Sequence, residues 1–173
     1  MIIVRRTVVI CGALAALLLP AVALAVSENV GDGTLVVKNG SAPRGVPVVT
    51  LVIHGAVIGE VTGGTIVIDD PTPLDGFAPE VTGYSWQKQT GDTTAKYGGV
   101  DFRFRAVGGT YRLTIYGADV DLVASGRGTV ILAGSADTPT QDGRYSLNGA
   151  DFKSLPATPT KLLSVGAPTA SSG

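Results

Sequence analysis

The sequence predicts an all-β fold: a single sandwich or flattened barrel of about eight to nine mostly antiparallel strands. Three observations lead to this class. Apolar and polar side chains alternate over several short stretches, which is the primary signal of a β-strand. Glycine is abundant, at 24 of 173 residues, and segments typical of helices are scarce after the first 25 residues. The glycine-containing connections are short, and parallel strands need longer crossovers. A short β-solenoid is the alternative fold.

Residues 99–134 carry the clearest strand pattern and predict four short strands joined by glycine turns. Within 100–105, apolar and charged side chains alternate, so that one face of the strand is apolar and the other charged. Gly108-Gly109 and Gly126-Arg127-Gly128 are expected to be hairpin turns, because glycine adopts positive φ angles at little cost. Since each strand has one apolar face, a second layer must cover it.

A looser version of the same pattern lies earlier in the chain. IHGA at 53–56 matches IYGA at 115–118 with an offset of 62, and GTIVI at 64–68 matches GTVIL at 128–132 with an offset of 64. This self-similarity indicates a duplication, although short segments of apolar residues and glycine also match by chance. The predicted units are residues 33–70 and 99–134.

The segment 71–98 between the two units predicts an irregular insertion. A segment of this length without periodicity is usually functional or mobile. Tyr84 and Trp86 are its candidate binding residues, because aromatic side chains dominate contact energetics. For Trp86 the sequence favours the simpler interpretation that it closes an open end of the sheet layers, with the binding role as the alternative. At the other end of the chain, 144–152 predicts a last strand and 156–173 a disordered tail with few apolar residues.

The first 25 residues predict a secretory signal peptide. Arg5 and Arg6 are followed by an apolar segment at 7–19, and Ala23-Leu24-Ala25 fits the small-x-small rule for cleavage. We expect cleavage after Ala25, which leaves a β-domain at 26–155 and contact with a membrane only before cleavage. An uncleaved anchor is the alternative, since the apolar segment is marginally long enough to span a bilayer. The only cysteine, Cys11, lies in this segment, so the mature chain has no disulfide.

Residues that could carry catalysis or bind a metal are few, and we predict no catalytic residue, metal site or cofactor. His54 is the only histidine, and it follows a strand whose apolar residues predict burial on both faces. A zinc site needs three or four ligands, and Asp69, Asp70 and Asp75 lack the spacing of an EF-hand calcium loop. The formal net charge of −1 gives no basic excess for binding nucleic acid.

Two segments carry a resemblance to known proteins. RFRAVGGTYRLTIYGADVDLVASGRGTVILAG at 103–134 and HGAVIGEVTGGTIVIDDP at 54–71 resemble small secreted β-rich proteins of actinobacteria that have no known function. The resemblance implies an exported β-rich protein and transfers no functional residues. The spacing of strands and glycines is also faintly similar to the β-solenoid heads of some surface adhesins, but the regular short repeat of those heads is missing here.

These observations together predict an exported, non-enzymatic β-domain, either secreted or associated with the cell envelope. Its role is expected to be binding or structural, with a cell-envelope component or a protein as partner. Two alternatives remain open at this point. One is a carrier that holds a small apolar ligand inside a β-barrel. The other is a hydrolase that uses the insertion at 70–98, with Asp69, Asp70, Asp75 and His54 as the residues to test.

Overall fold

The computed structural model describes residues 32–135 and 143–165, and the predicted signal peptide at 1–25 lies outside them. The described part is all-β, with no helix, and its strands form one antiparallel sheet of eight strands. The predicted fold class, strand number and antiparallel pairing are confirmed. Within these residues, nothing forms a helix able to cross a bilayer. The strands are β1 (Gly33–Gly40), β2 (Val49–Asp69), β3 (Glu80–Thr82), β4 (Trp86–Gln89), β5 (Thr94–Leu132), β6 (Arg144–Leu147), β7 (Lys153–Ser154) and β8 (Thr160–Val165).

Strands β2 and β5 dominate the sheet because of their length. β2 has 21 residues and β5 has 39, whereas strands usually have about 3–10 residues. The predicted hairpin turns at Gly108-Gly109 and Gly126-Arg127-Gly128 are wrong, since both motifs lie inside β5. The strand does not reverse at either motif, because it stays hydrogen-bonded to β2, a partner distant in sequence.

Both edges of β2 pair with β5. Val49 lies opposite Ile115 on one edge and opposite Leu132 on the other, and the double pairing continues to Asp69 at the end of β2. Residues 94–115 of β5 therefore follow one edge of β2, and residues 112–132 follow the other. Since β5 is continuous, it must wind around β2, and the sheet curls about a single core.

Two pairs of facing glycines lie between β2 and β5. Gly55 lies opposite Gly126, and Gly64 lies opposite Gly117. All four have φ angles between 143° and 159°, a region that residues with a Cβ rarely adopt. A Cβ on Gly55 would lie 2.2 Å from the carbonyl oxygen of Ser125. The two backbones approach so closely that only glycine fits at these positions.

The core is one continuous cluster of apolar side chains from β1, β2 and β5, together with Val48 and Leu155 outside these strands. In β2 the buried and exposed residues alternate: Leu51 and Ile53 are buried, while Val52 and His54 are exposed. The predicted burial of this strand on both faces is therefore wrong. The apolar residues on its outer face reflect the preference of sheets for β-branched side chains, not a second covering layer. The largest fully buried side chains are Tyr111, Phe102 and Phe104.

Tyr111 also attaches the segment 71–79 to the core. Its hydroxyl donates to the carbonyl oxygen of Phe77 at 2.5 Å and accepts from the amide of Gly109 at 3.2 Å. Burial raises the pKa of Tyr111 because the charged phenolate loses more solvation on burial than the neutral phenol does. The first part of the predicted insertion is thus held against the core, and its second part is not irregular, because it contains β3, β4 and the first residues of β5.

The C-terminal segment differs from its prediction. Thr160–Val165 form β8 and pair with residues 128–132 of β5, within the stretch 156–173 that the sequence predicts to be disordered. The edge of β5 offers unpaired backbone groups, so this segment gains order from main-chain hydrogen bonds although it has few apolar residues. Leu162 also packs against the core. The remaining residues, 166–173, lie outside the described part.

Candidate functional site

Trp86 begins the edge strand β4 and lies opposite Gly98 of β5. A Cβ on Gly98 would lie 2.3 Å from the indole Cζ2 atom, so the indole rests directly on the glycine backbone. An aromatic ring over a strand glycine covers backbone that would otherwise be exposed and fixes the ring in place. The side chain nevertheless remains 43% exposed. Trp86 is therefore a rigidly seated aromatic ring that is open to solvent.

Tyr84, the second predicted binding residue, has different surroundings. Its ring packs edge-to-face on Tyr97 with centroids 5.2 Å apart, and Tyr97 itself packs against the core. Burial, and then the neighbouring Tyr84, raise the pKa of Tyr97. Tyr97 and Gly98 are consecutive in a strand, so their side chains point to opposite faces of the sheet. Tyr84 and Trp86 are both exposed, but they do not form one flat surface.

Two lysines accompany Trp86 on its face of the sheet. Lys88 lies directly opposite Lys96, and the Lys96 Nζ atom is 5.9 Å from the centroid of the indole. Like charges directly opposite each other destabilise a sheet. In the residues that the structure describes, neither lysine forms a salt bridge. Trp86 thus borders a positive charge that the described protein does not neutralise.

The same face continues from Trp86 across three strand spacings. Gly98 pairs with Thr65 of β2, and Thr65 pairs with Tyr116 of β5. At about 4.8 Å per spacing, Tyr116 lies roughly 14 Å from Trp86. Thr65 and Tyr116 also line an open cleft of about 590 Å³, together with the exposed Arg44. We call this surface the Trp86 strip, defined as Trp86, Lys88, Lys96, Thr65, Tyr116 and Arg44.

The outer surface formed by the middle part of β2 is charged in a different way. Glu60 of β2 accepts from the Arg103 Nε atom at 2.8 Å, and the neighbouring Asp121 lies 3.5 Å from the Lys38 Nζ atom. Each cation here has a carboxylate partner. These exposed pairs contribute little to stability, but they neutralise this surface, in contrast to the Trp86 strip.

The residues considered for hydrolysis are occupied by local structural contacts. Asp69 accepts from the Thr93 hydroxyl at 2.6 Å and from Arg112, and these hydrogen bonds hold its pKa below the usual value despite the opposing effect of burial. Asp75 accepts from the amide of Phe77 at 2.9 Å within its own loop.

The remaining two residues of that set are no closer to a catalytic arrangement. Asp70 accepts from the amide of Thr72 at 3.1 Å. His54 is exposed, and its Nδ1 atom is 3.0 Å from the Thr110 hydroxyl. In residues 32–135 and 143–165, no three metal-binding side chains come together.

The sequence singled out Trp86 but not the cations Lys88, Lys96 and Arg44 of the strip. Lys88 and Lys96 are eight residues apart, and only the pairing of β4 with β5 places them opposite each other. Arg44 lies on the connection between β1 and β2, and it lines the same cleft as Thr65 and Tyr116 of the long strands. The roles of Tyr84 and Trp86 in binding stay predictions.

Comparison with protein-family models, with curated proteins and with solved structures gives no match for this chain. The resemblance to secreted actinobacterial proteins therefore stays a prediction. The interior is packed with large side chains, including Tyr111, Phe102 and Phe104. The apolar residues that a carrier would use to enclose a ligand contact one another.

Proposed function

We propose that this chain is an exported, non-enzymatic β-domain that binds a partner at the cell envelope through the Trp86 strip. The observation that carries the proposal is Trp86 itself: an indole held on Gly98, 43% exposed, and next to two lysines without salt bridges. Rigid, exposed aromatic residues are the side chains that supply most of the binding energy in protein interfaces. A ring that is already fixed loses little conformational entropy on binding.

Export is supported by the sequence before residue 26 and by the absence of cysteine after Cys11. A role without catalysis is supported by the contacts of the carboxylates near the insertion. Asp69 and Asp75 hold the loop and strand ends together, and His54 contacts a threonine hydroxyl rather than a carboxylate. These groups have structural partners where a hydrolase would need a base and a nucleophile in contact with each other.

The proposal is tested by expressing the full chain in a bacterium and separating the medium from the envelope. We expect the wild-type protein to be retained in the envelope fraction. The amount of Trp86→Ala in the medium should be at least tenfold that of the wild type. Phe152→Ala is the matched control, because Phe152 is another aromatic residue, 48% exposed, and lies outside the strip. Its retention should stay within twofold of the wild type.

Two results would overturn the proposal. One is equal release of the wild type and of Trp86→Ala, and the other is full retention of the protein inside the cell. Circular dichroism of each purified variant checks that the β-fold is intact, so that a release caused by unfolding is recognised.

A further inference from the structure

The partner that the Trp86 strip fits best is an acidic polysaccharide. We infer that the strip binds a linear glycan whose sugars carry carboxylate groups, with one sugar ring stacked on Trp86 and the chain running toward Arg44. This inference rests on the proposed function and names the class of partner. Three features of the strip carry it: its shape, its neutral polar groups and its uncompensated positive charge.

The shape of the strip suits an extended, linear ligand. Trp86, Thr65 and Tyr116 follow one another along a single row of paired residues, and the row ends in the open cleft beside Arg44. The row is roughly 14 Å long, which is the reach of a short oligosaccharide. The cleft is open, so a longer chain can continue past either end.

The chemistry of the row suits a sugar. The C–H face of a pyranose ring is apolar and stacks on an aromatic ring, while its hydroxyl groups need hydrogen-bond partners at the edge. Trp86 supplies the aromatic face. The hydroxyls of Thr65 and Tyr116 donate and accept hydrogen bonds at the following positions of the row.

The charge of the strip suits a carboxylate. Lys88 and Lys96 repel each other across the β4–β5 pair, and a bound anion would remove this repulsion. At the other end of the strip, exposed Arg44 forms no salt bridge in the described residues, and guanidinium groups pair with carboxylates through two parallel hydrogen bonds. A polymer with repeated carboxylates can contact both ends at once.

Trp86 is the only tryptophan of the chain, so its fluorescence reports on the proposed site alone. The purified exported protein is titrated with oligogalacturonate of three to six sugars and, separately, with the neutral galactose oligomer of the same length. We expect a saturable change in emission with the acidic oligomer and at least tenfold weaker binding of the neutral one. Binding of the acidic oligomer should weaken as salt is added, because exposed charges are screened.

Two variants and one control separate the effect of charge from that of shape. Lys88→Gln with Lys96→Gln should weaken binding of oligogalacturonate at least tenfold, while Lys153→Gln with Lys161→Gln, two exposed lysines on other edge strands, should change it less than twofold. Gly63→Phe should block the cleft, since Gly63 lines it and a Cβ there meets nothing within 4 Å. We expect this variant to lose affinity for the hexamer of galacturonate and to keep the affinity of the wild type for the galacturonate monomer, which is titrated in the same way.

Several outcomes would overturn the inference while the proposed function stands. One is that retention at the envelope depends on Trp86 while the purified protein shows no saturable binding of any oligogalacturonate. Another is tighter binding of poly-glutamate or of a polyol phosphate than of oligogalacturonate, which would assign the strip to an acidic protein or to a phosphate polymer. Equal loss of binding in the two lysine pairs would also overturn it. The Lys88→Gln, Lys96→Gln variant should be as stable as the wild type or more stable, because it removes the repulsion between the two lysines. A loss of binding in this variant is then not caused by unfolding.

Discussion

The facing glycines of β2 and β5 make the strongest prediction about stability. We expect Gly55→Ala to lower the free energy of unfolding by about 2–6 kcal/mol. Backbone strain at a φ of 151° contributes about 1–3 kcal/mol. The added methyl group would also lie 2.2 Å from the Ser125 oxygen and 2.8 Å from the Gly126 Cα atom, and such overpacking costs a further 1–3 kcal/mol, roughly. The clashing atoms are backbone, so no side-chain rotation can relieve the contact.

Gly63→Ala is the matched control for this substitution. Gly63 lies in the same strand, its φ is outside the left-handed region, and a Cβ there meets nothing within 4 Å. Replacing glycine at a compatible position stabilises a protein by about 0.4–1 kcal/mol through the unfolded state.

Thermal unfolding followed by circular dichroism compares the two variants. The midpoint of Gly55→Ala should fall by roughly 5–20 °C, and that of Gly63→Ala should stay equal or rise slightly. If both variants unfold at the same temperature as the wild type, the close approach of the two strands at Gly55 and Gly126 is refuted.

Three further predictions concern the surroundings of this core. Gly98→Ala should displace the Trp86 indole, because a Cβ would lie 2.3 Å from it; a red-shifted tryptophan emission is the expected result, and an unchanged spectrum would contradict the stacking. Tyr111→Phe removes the hydrogen bond to the Phe77 carbonyl and should cost about 1–3 kcal/mol and speed proteolysis of the segment 71–79. Because the pKa of Tyr111 is raised, folded protein holds the phenol proton more tightly than unfolded protein does. The free energy of unfolding should therefore be constant in this respect below about pH 10 and fall as the pH rises further. Tyr111→Phe should show a weaker fall. Truncation before β8 (160–165) exposes the edge of β5 and should promote self-association in size-exclusion chromatography at high concentration, while an unchanged elution volume would show that β8 does not protect the edge.

The strands of this fold could be predicted from the sequence, but their length and winding could not. Alternation in 100–105 identifies the inner face correctly at Phe102 and Phe104, which are fully or almost fully buried, but not at Val100, which is 64% exposed. Asp101, between Val100 and Phe102, has a positive φ of 55°, so the regular alternation of the strand is interrupted there. A glycine pair such as Gly108-Gly109 gives the same local signal whether the chain reverses or only bends. The difference depends on which distant strand supplies the hydrogen bonds, and that information lies in the pairing of β5 with β2.

The candidate site was predictable only in part for a similar reason. A lone tryptophan in an irregular segment is a local observation, and the structure shows that Trp86 is exposed. The opposition of Lys88 and Lys96 is a matter of cross-strand register, which no local pattern specifies unless one face is strongly apolar. β4 is exposed along its whole length, so its sequence carries no such constraint.

The facing glycines of β2 and β5 also bear on the predicted similarity between the units 33–70 and 99–134. Gly55 and Gly117 are 62 residues apart and have φ angles of 151° and 150°, and Gly64 and Gly126 are also 62 residues apart. The structure thus relates Gly64 to Gly126, whereas the sequence match of 64–68 with 128–132 relates it to Gly128. Each glycine of the first pair faces a glycine of the second across the β2–β5 ladder. Adding 62 to the number of the β2 residue and subtracting 62 from that of the β5 residue turns the pair Gly55–Gly126 into the pair Gly117–Gly64. A two-fold axis between the strands would relate the two pairs in the same way. A duplicated segment that paired with its own copy would produce this arrangement, because any residue required for a close approach in one copy is required again at the same position in the other.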